Sequence, residues 1–313
     1  MKNVHKLTEG ALFLAIFAVL LLITLYLPVL GIVVNLFLAL PFILFAAKND
    51  RKSSLVFLVA SILISLIVGT FLAIPLALAY GLTGIVMGDF IREKKSRVAV
   101  FISGSLVFLV SLVIQYAVAV ALFEMDFIKE SILVFKESVS MSVEMLNNLG
   151  QTPNETLVEQ LEASVEMMES LIPSLFVMAS FLIVFLIQLV SFPIIKRFGV
   201  DIAGWKPFRE LQLPKSLLWY YLITLVASLM INPGEGSFFF LAIVNLSFVL
   251  QFFMIAQGLA FVYYISYIKS FPKAIPIIIT VLMFFIPIVL YIVRILGIID
   301  LGFDLRKRIG EKR

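Results

Sequence analysis

TFLAIPLALAYGLTGIVMGDFI, residues Thr70–Ile91, holds no ionisable side chain before Asp89. It is long enough to cross a bilayer, which takes about 20 apolar residues. Its small residues Ala73, Ala77, Gly81, Gly84 and Gly88 step by four, four, three and four, and on a helix they form one smooth face. Helices in lipid gain little from apolar burial against each other, so backbone approach through small residues is a main route to packing. The spacing predicts a helix inside a bundle, with neighbours pressed on this flat side. A sliding or docking face for a partner protein is the other use of such a stripe. Asp89 and Arg92-Glu93-Lys94-Lys95 end the run as a charged stop.

The rest of the chain agrees with this stretch. It is 313 residues, 62% hydrophobic and 14% charged, with 30 phenylalanines, and its mean hydropathy is +1.12. Soluble domains are closer to half apolar and a quarter charged, so the expected class is all-α, a polytopic transmembrane bundle. Without cysteine there is no disulfide, iron–sulfur cluster or thiol catalysis, and the one histidine, His5, cannot build a multi-histidine metal site. The first apolar run is long and lacks a small-residue cleavage site, which marks a span and not a signal peptide.

Charge sets the expected topology. Between Glu124 and Leu171 ten acids face only Lys129 and Lys136, so the remainder of the chain is strongly basic. Basic loops stay cytoplasmic. The N-terminus, with Lys2 and Lys6, is therefore expected inside, followed by spans at 11–30, 32–47, 53–69, 70–91 and 98–123. Inside loops are expected at 48–52 and 92–97, with residue 124 outside. In 124–171, Ile128, Ile132, Phe135, Val139, Val143 and Leu146 recur at helical spacing. Gly150-Gln151 interrupts them, and Thr152-Pro153-Asn154-Glu155 reads as a capping box for a second helix. An extracytoplasmic acidic helical hairpin results, its acids forming a solvated face; Asn154-Glu155-Thr156 also matches a short glycosylation sequon. A sixth span at 172–195 leads to a basic cytoplasmic connector at 196–215, where Trp205 and Phe208 are expected at the interface. Further runs follow at 216–231, 237–268 and 274–298, after a turn at 232–236.

The expected division is a five-span bundle at 1–123, the hairpin at 124–171, and three or four spans at 172–313. Residues 237–268 overshoot the bilayer, so they must tilt, extend beyond it or break near Gln257-Gly258. Nine full crossings would leave the basic tail 306–313 outside, against the positive-inside tendency. The range is thus eight or nine spans, one late segment doubling back.

The middles of the first eight apolar runs contain no ionisable group, and Arg294 near the end of the last can snorkel. The sequence holds no HExxH, no Ser/His/Asp set and no phosphate loop. No enzyme, cofactor, metal site or internal energy source is expected. The basic residues are not interleaved with a stacking surface, so no nucleic acid is expected as a partner. Uncharged polar groups do occur at depth: Asn35, Tyr80, Gln115, Tyr116 and Gln188, then Asn245, Gln251 and Gln257. The first five are candidates to line a site for an unknown neutral or weakly polar small molecule.

GWKPFRELQLPKSLLW (Gly204–Trp219), LQFFMIAQGLAFVYYI (Leu250–Ile265) and LGIIDLGFDLRKR (Leu296–Arg308) resemble the YybS-like family of bacterial multi-pass membrane proteins. The resemblance implies the bacterial cytoplasmic membrane. It also implies, through the genomic setting of that family, a regulatory partnership with a membrane-bound cyclic-dinucleotide phosphodiesterase. The first six spans are similar, more distantly, to S components of energy-coupling-factor vitamin transporters. The shared features are small residues on the first helix (Ala11, Ala15 and Ala18), a short second span and a glycine-rich fourth helix. That likeness implies docking of the first helix on a transmembrane coupling subunit, with ATPases supplying power. Membrane lipid, a coupling subunit or a membrane enzyme are the partners to expect.

Overall fold

A computed structural model describes residues 2–149, 155–230 and 237–310. They form helices and no strand. The predicted capping box, the sequon, the Gly150-Gln151 break and the turn at 232–236 lie outside or run beyond the described residues. The helices are α1 (Lys2–Tyr26), α2 (Pro28–Val34), α3 (Leu40–Lys48), α4 (Arg51–Gly69), α5 (Ile74–Arg92), α6 (Arg97–Phe123) and α7 (Phe127–Asn148). There follow α8 (Glu155–Ser170), α9 (Ile172–Arg197), α10 (Lys215–Met230), α11 (Phe238–Ile268), α12 (Ala274–Phe285), α13 (Pro287–Phe303) and α14 (Leu305–Gly310).

Contacts divide the chain into two compact units: Met1–Ser131 with Leu175–Trp205, and Ile132–Ser174 with Lys206–Arg313. The boundaries differ from those suggested by composition at 123 and 171, because the sixth apolar run packs with the first five.

In the first unit α5 is central. Ala73 and Ala77 are 0% exposed, and Gly81, Gly84 and Gly88 are buried. A methyl built on Gly84 would meet Phe42 Cβ at 2.7 Å and the Ala39 carbonyl oxygen at 2.8 Å; one on Gly88 would meet the Ile43 oxygen at 2.6 Å. The smooth face is filled by the α3 backbone. The second span is irregular because Pro41, in the first turn of α3, has no N–H and crowds the preceding turn. Asn35–Phe37 is accordingly a 3₁₀ segment between α2 and α3. Phe17, Phe42, Phe45 and Phe57 interlock behind it, ring to ring at 4.5–5.2 Å.

The charges at the end of α5 knit neighbouring helix ends together. Asp89, 8% exposed, accepts from Arg51 Nε at 2.6 Å and from Arg92. Arg51 also reaches Glu93 at 2.7 Å, Lys48 pairs with Glu9 at 2.9 Å, and Lys6 pairs with Asp50. The Lys6 ammonium, with the Ser53 hydroxyl and amide, holds the Asp50 carboxyl well below the usual carboxylate range.

In the second unit α11 is one unbroken 31-residue helix, about 46 Å long at 1.5 Å per residue. It overshoots the bilayer without breaking at Gln257-Gly258. The last apolar run does break: α12 and α13 meet at 119° around Pro287, whose ring cannot continue the preceding helix. Their direction follows from their contacts. Tyr263 on α11 meets Thr280 on α12 at 3.2 Å. Gln251 pairs with Arg294 and Gln257 with Asp300, so α13 runs parallel to α11. The run thus enters from the end where α11 finishes and returns to it.

Of the expected eight or nine spans, nine is excluded by that geometry, with the late doubling back placed at α12 and α13. Among the described residues seven helical segments are long and apolar enough to span, or eight if the bent pair is one span. The apolar α10, with 16 residues, is shorter than these. α7 and α8 are helical as the periodicity predicts, and no described residue of α7 is buried.

Candidate functional site

All three stretches that carry the family resemblance meet at one buried polar cluster in the second unit. It is built where α11 and α13 cross. Gly258 and Gly297 face each other so closely that a methyl on Gly258 would strike the Val293 carbonyl and lie 2.9 Å from the Gly297 nitrogen. Only glycine permits backbones this near. The approach brings the adjacent Gln257, 0% exposed, to Asp300, 2% exposed. Gln257 Nε2 donates to Asp300 Oδ2 at 2.6 Å, while its Oε1 accepts from the Leu213 amide at 2.9 Å. Arg306 Nε donates to the same Oδ2 at 2.9 Å, and Arg306 Nη1 to the Arg209 carbonyl at 2.9 Å. The Tyr264 hydroxyl donates to the Arg306 carbonyl at 3.2 Å, and its ring lies 5.2 Å from the guanidinium. Asp300 Oδ1 and Arg306 Nη2 are buried without partners among the described residues. An ion pair this dry survives only when its remaining groups are bonded. Gln257, Leu213 and Arg209 supply most of those bonds. The cluster holds no nucleophile–base pair, so its chemistry is ion pairing and hydrogen bonding.

Asp300 and Arg306 escape a composition-based reading. The apolar run ends at Ile298, and an acid two residues on reads as a membrane-edge charge. The available signal was Gly297, three residues before Asp300 and able to bring another helix close. The other polar residues at depth in this unit are also partnered. Asn245 Oδ1 accepts from the Ser174 amide at 2.9 Å and its Nδ2 donates to the Ser170 carbonyl at 2.7 Å. Gln251 Oε1 accepts from Arg294 Nη1 at 3.0 Å.

The five candidate lining residues lie in the first unit. The Tyr80 hydroxyl lies beside the Asn35 amide, and its ring packs edge-on against Phe108 at 5.5 Å. Asn35 Oδ1 is buried and unpartnered. Gln115 donates to the Pro75 carbonyl at 3.1 Å. The Tyr116 hydroxyl donates to Asp126 at 2.9 Å, beyond the end of α6. Gln188 differs from all of these: it is 0% exposed, and among the described residues both ends of its amide lack a partner. Thr83, Ser105 and Ser191 hydroxyls are also fully buried and unpartnered. Gly104 marks a point where α5, α6 and α9 meet, since a methyl there would touch Met87 at 2.8 Å and Val184 at 3.2 Å. Thr83 lies one turn from Met87, Ser105 beside Gly104, and Gln188 one turn from Val184.

On α1, Phe13, Phe17 and Leu21 point inward, leaving Ala11 and Ala15 exposed and Ala18 half-buried. No group of three or more His, Cys, Asp or Glu able to hold a metal occurs among the described residues.

Comparison with known proteins agrees with the family resemblance read from the sequence. Over 313 residues, 99% of this chain, it is 31% identical to the whole of the uncharacterized protein YybS of Bacillus subtilis strain 168. No solved structure matches it. A family model described as "Predicted membrane protein (DUF2232)" matches residues 15–301. The chain belongs to this YybS-like DUF2232 family of membrane proteins.

Proposed function

We propose that the six-span unit binds a small, weakly polar molecule and has no energy source of its own, in the manner of the S components its first six spans resemble. The observation that carries this reading is the Gln188 amide, 0% exposed and without a partner at either end among the described residues. Leaving a buried polar group unbonded costs about 1–3 kcal/mol. A ligand with a few donors and acceptors on an apolar body would satisfy both ends of that amide. Two further facts support it. The first five spans and α9 make a compact unit by themselves, and the exposed Ala11 and Ala15 offer a coupling subunit a smooth surface.

The test is purification from native membranes followed by mass spectrometry, for the natural chain and for Gln188→Leu. Leucine keeps most of the volume and removes the unbonded amide, so the variant should remain folded and lose the copurifying molecule. Retention of that molecule by Gln188→Leu, or none found across several growth conditions, refutes the reading.

A second reading is a non-transporting regulatory partner of a membrane-bound enzyme of the cyclic-dinucleotide phosphodiesterase type. It is favoured by α7, an amphipathic helix whose Leu133, Val134, Phe135, Met141 and Met145 are all exposed. Crosslinking from α7 to such an enzyme, with no small molecule bound, would replace the first reading.

A further inference from the structure

A second polar site in the first unit lies at the junction of α5, α6 and the segment after α9. A cavity of about 200 Å³ is walled by Ile91, Lys94, Lys95, Arg97, Val100, Asp201, Ile202 and Ala203. Its floor is apolar: Ile91, Val100 and Ile202 are at most 5% exposed. Its charge is not balanced. Arg97 is half-buried and held between two rings, its guanidinium 4.7 Å from the Phe192 centroid and 5.0 Å from that of Trp205. Those rings fix the group without neutralising it. Arg97 Nε is buried and unpartnered, and no described carboxylate pairs with the guanidinium. Among the described residues Lys94 is likewise without an ion pair, and Lys95 reaches only Glu93, at 3.9 Å. Glu93 is shared with Arg51. Asp201, the one acid in the wall, forms no ion pair with any of the three cations.

A guanidinium taken partly out of water and given no counter-charge is costly, and the stack on two rings recovers only part of that cost. The other charged pairs at this end of the unit, around Asp89, Asp50 and Glu9, are closed. Arg97 stands out against them. Its planar fork suits the paired oxygens of an oxyanion, and the two lysines add mobile point charges. A cavity of about 200 Å³ accommodates a phosphate-sized group and excludes a polymer.

We propose that this pocket binds a phosphate-type oxyanion, with Arg97 as the oriented donor and Lys94 and Lys95 as the closing cations. The phosphate of an anionic lipid headgroup and free inorganic phosphate offer the same oxygens. The experiment separates them.

Full-length protein is melted in an uncharged detergent with inorganic phosphate, and again in nanodiscs of phosphatidylglycerol or of phosphatidylcholine. Stabilisation by inorganic phosphate assigns the site to the free ion. Stabilisation by phosphatidylglycerol alone assigns it to the headgroup. In either case Arg97→Gln should weaken binding about tenfold, the equivalent of one lost charge-assisted hydrogen bond. Arg97→Lys should restore only part of it. Because Arg97→Gln also strips a guanidinium from two rings, the double change Lys94→Gln/Lys95→Gln, at exposed positions, is run beside it and should weaken binding while leaving the unliganded melting temperature unchanged. The proposal is overturned if neither anion stabilises the protein. It is equally overturned if sodium chloride at matched ionic strength gives the same shift, or if the shift survives in both variants.

Discussion

Gly297→Ala and Gly302→Ala put the same methyl at two places on α13, and the structure assigns them opposite outcomes. At Gly302 the new carbon would find only Leu218 Cδ2, at 3.5 Å, an ordinary contact. Replacing a helical glycine by alanine then gains up to about 1 kcal/mol from propensity. At Gly297 the methyl would meet the Met254 carbonyl carbon at 3.0 Å, the Gly258 nitrogen at 2.8 Å, and the Met254 carbonyl oxygen closer still. These are backbone atoms and cannot rotate away. Reaching ordinary 3.4 Å contact asks α11 and α13 to part by at least 0.6 Å on the nitrogen alone. The same movement stretches the 2.6 Å bond from Gln257 to Asp300. Overpacking costs about 1–3 kcal/mol, and a weakened bond to a buried charge adds to it. The expected net loss is about 2–3 kcal/mol after the propensity gain. By the scaling of soluble domains that lowers the melting temperature by roughly 5–10 °C. Thermal unfolding in detergent, read by the monodisperse fraction remaining, measures both variants. If Gly297→Ala melts with the natural chain, or Gly302→Ala falls as far as Gly297→Ala, the close crossing is not what holds this unit together.

Breaking the buried ion pair from one side should cost about 3–5 kcal/mol, because the survivor is left charged and dry. Asp300→Asn and Arg306→Met should each be severe, and their combination should cost clearly less than their sum in a double-mutant cycle. Gly84→Leu drives a branched side chain into the α3 backbone, so it should lower the amount of protein in the membrane. Ala15→Leu, on an exposed face, should leave amount and stability unchanged while removing any copurifying coupling subunit; equal losses from both would leave α1 with only a packing role. With α12 and α13 returning to one side and α10 counted, eight crossings remain. Cysteines at 93 and 307 should therefore resist an impermeant maleimide in intact cells, and one at 151 should label; the reverse pattern would invert the topology. Asp50 has its carboxyl lowered from 3.8 by the Lys6 ammonium, so its contribution is complete above about pH 4 and is lost as pH falls through the depressed value. The difference in melting between the natural chain and Asp50→Asn should be constant from pH 7 to 5 and shrink below 4.

What could be read from the sequence was what repeats locally. Apolar run lengths, the four-residue stepping of small residues on α5 and the 3.6-residue pattern of α7 each depend on neighbours in the chain. Asn35 and Gln188 could be seen as polar groups at depth, but whether they are bonded depends on helices far along the sequence. Pro287 was visible, yet a proline can kink a span or turn it back, and only the contacts of Thr280 and Arg294 with α11 distinguish the two. Asp300 was hidden for a related reason. Its burial is created by Gly258, 42 positions earlier, and nothing near residue 300 announces that partner.

The α11–α13 cluster also imposes an order in time. Asp300 is made 43 residues after Gln257, and Arg306 is made 97 residues after the carbonyl it finally caps at Arg209. Throughout that interval the growing chain must hold a half-bonded glutamine within an otherwise apolar helix, carried by the surrounding hydrophobic residues. The last turn of the unit to leave the ribosome is thus the one that satisfies the middle of a helix inserted long before. Chains that stall in between present an unmet amide beside an open glycine groove.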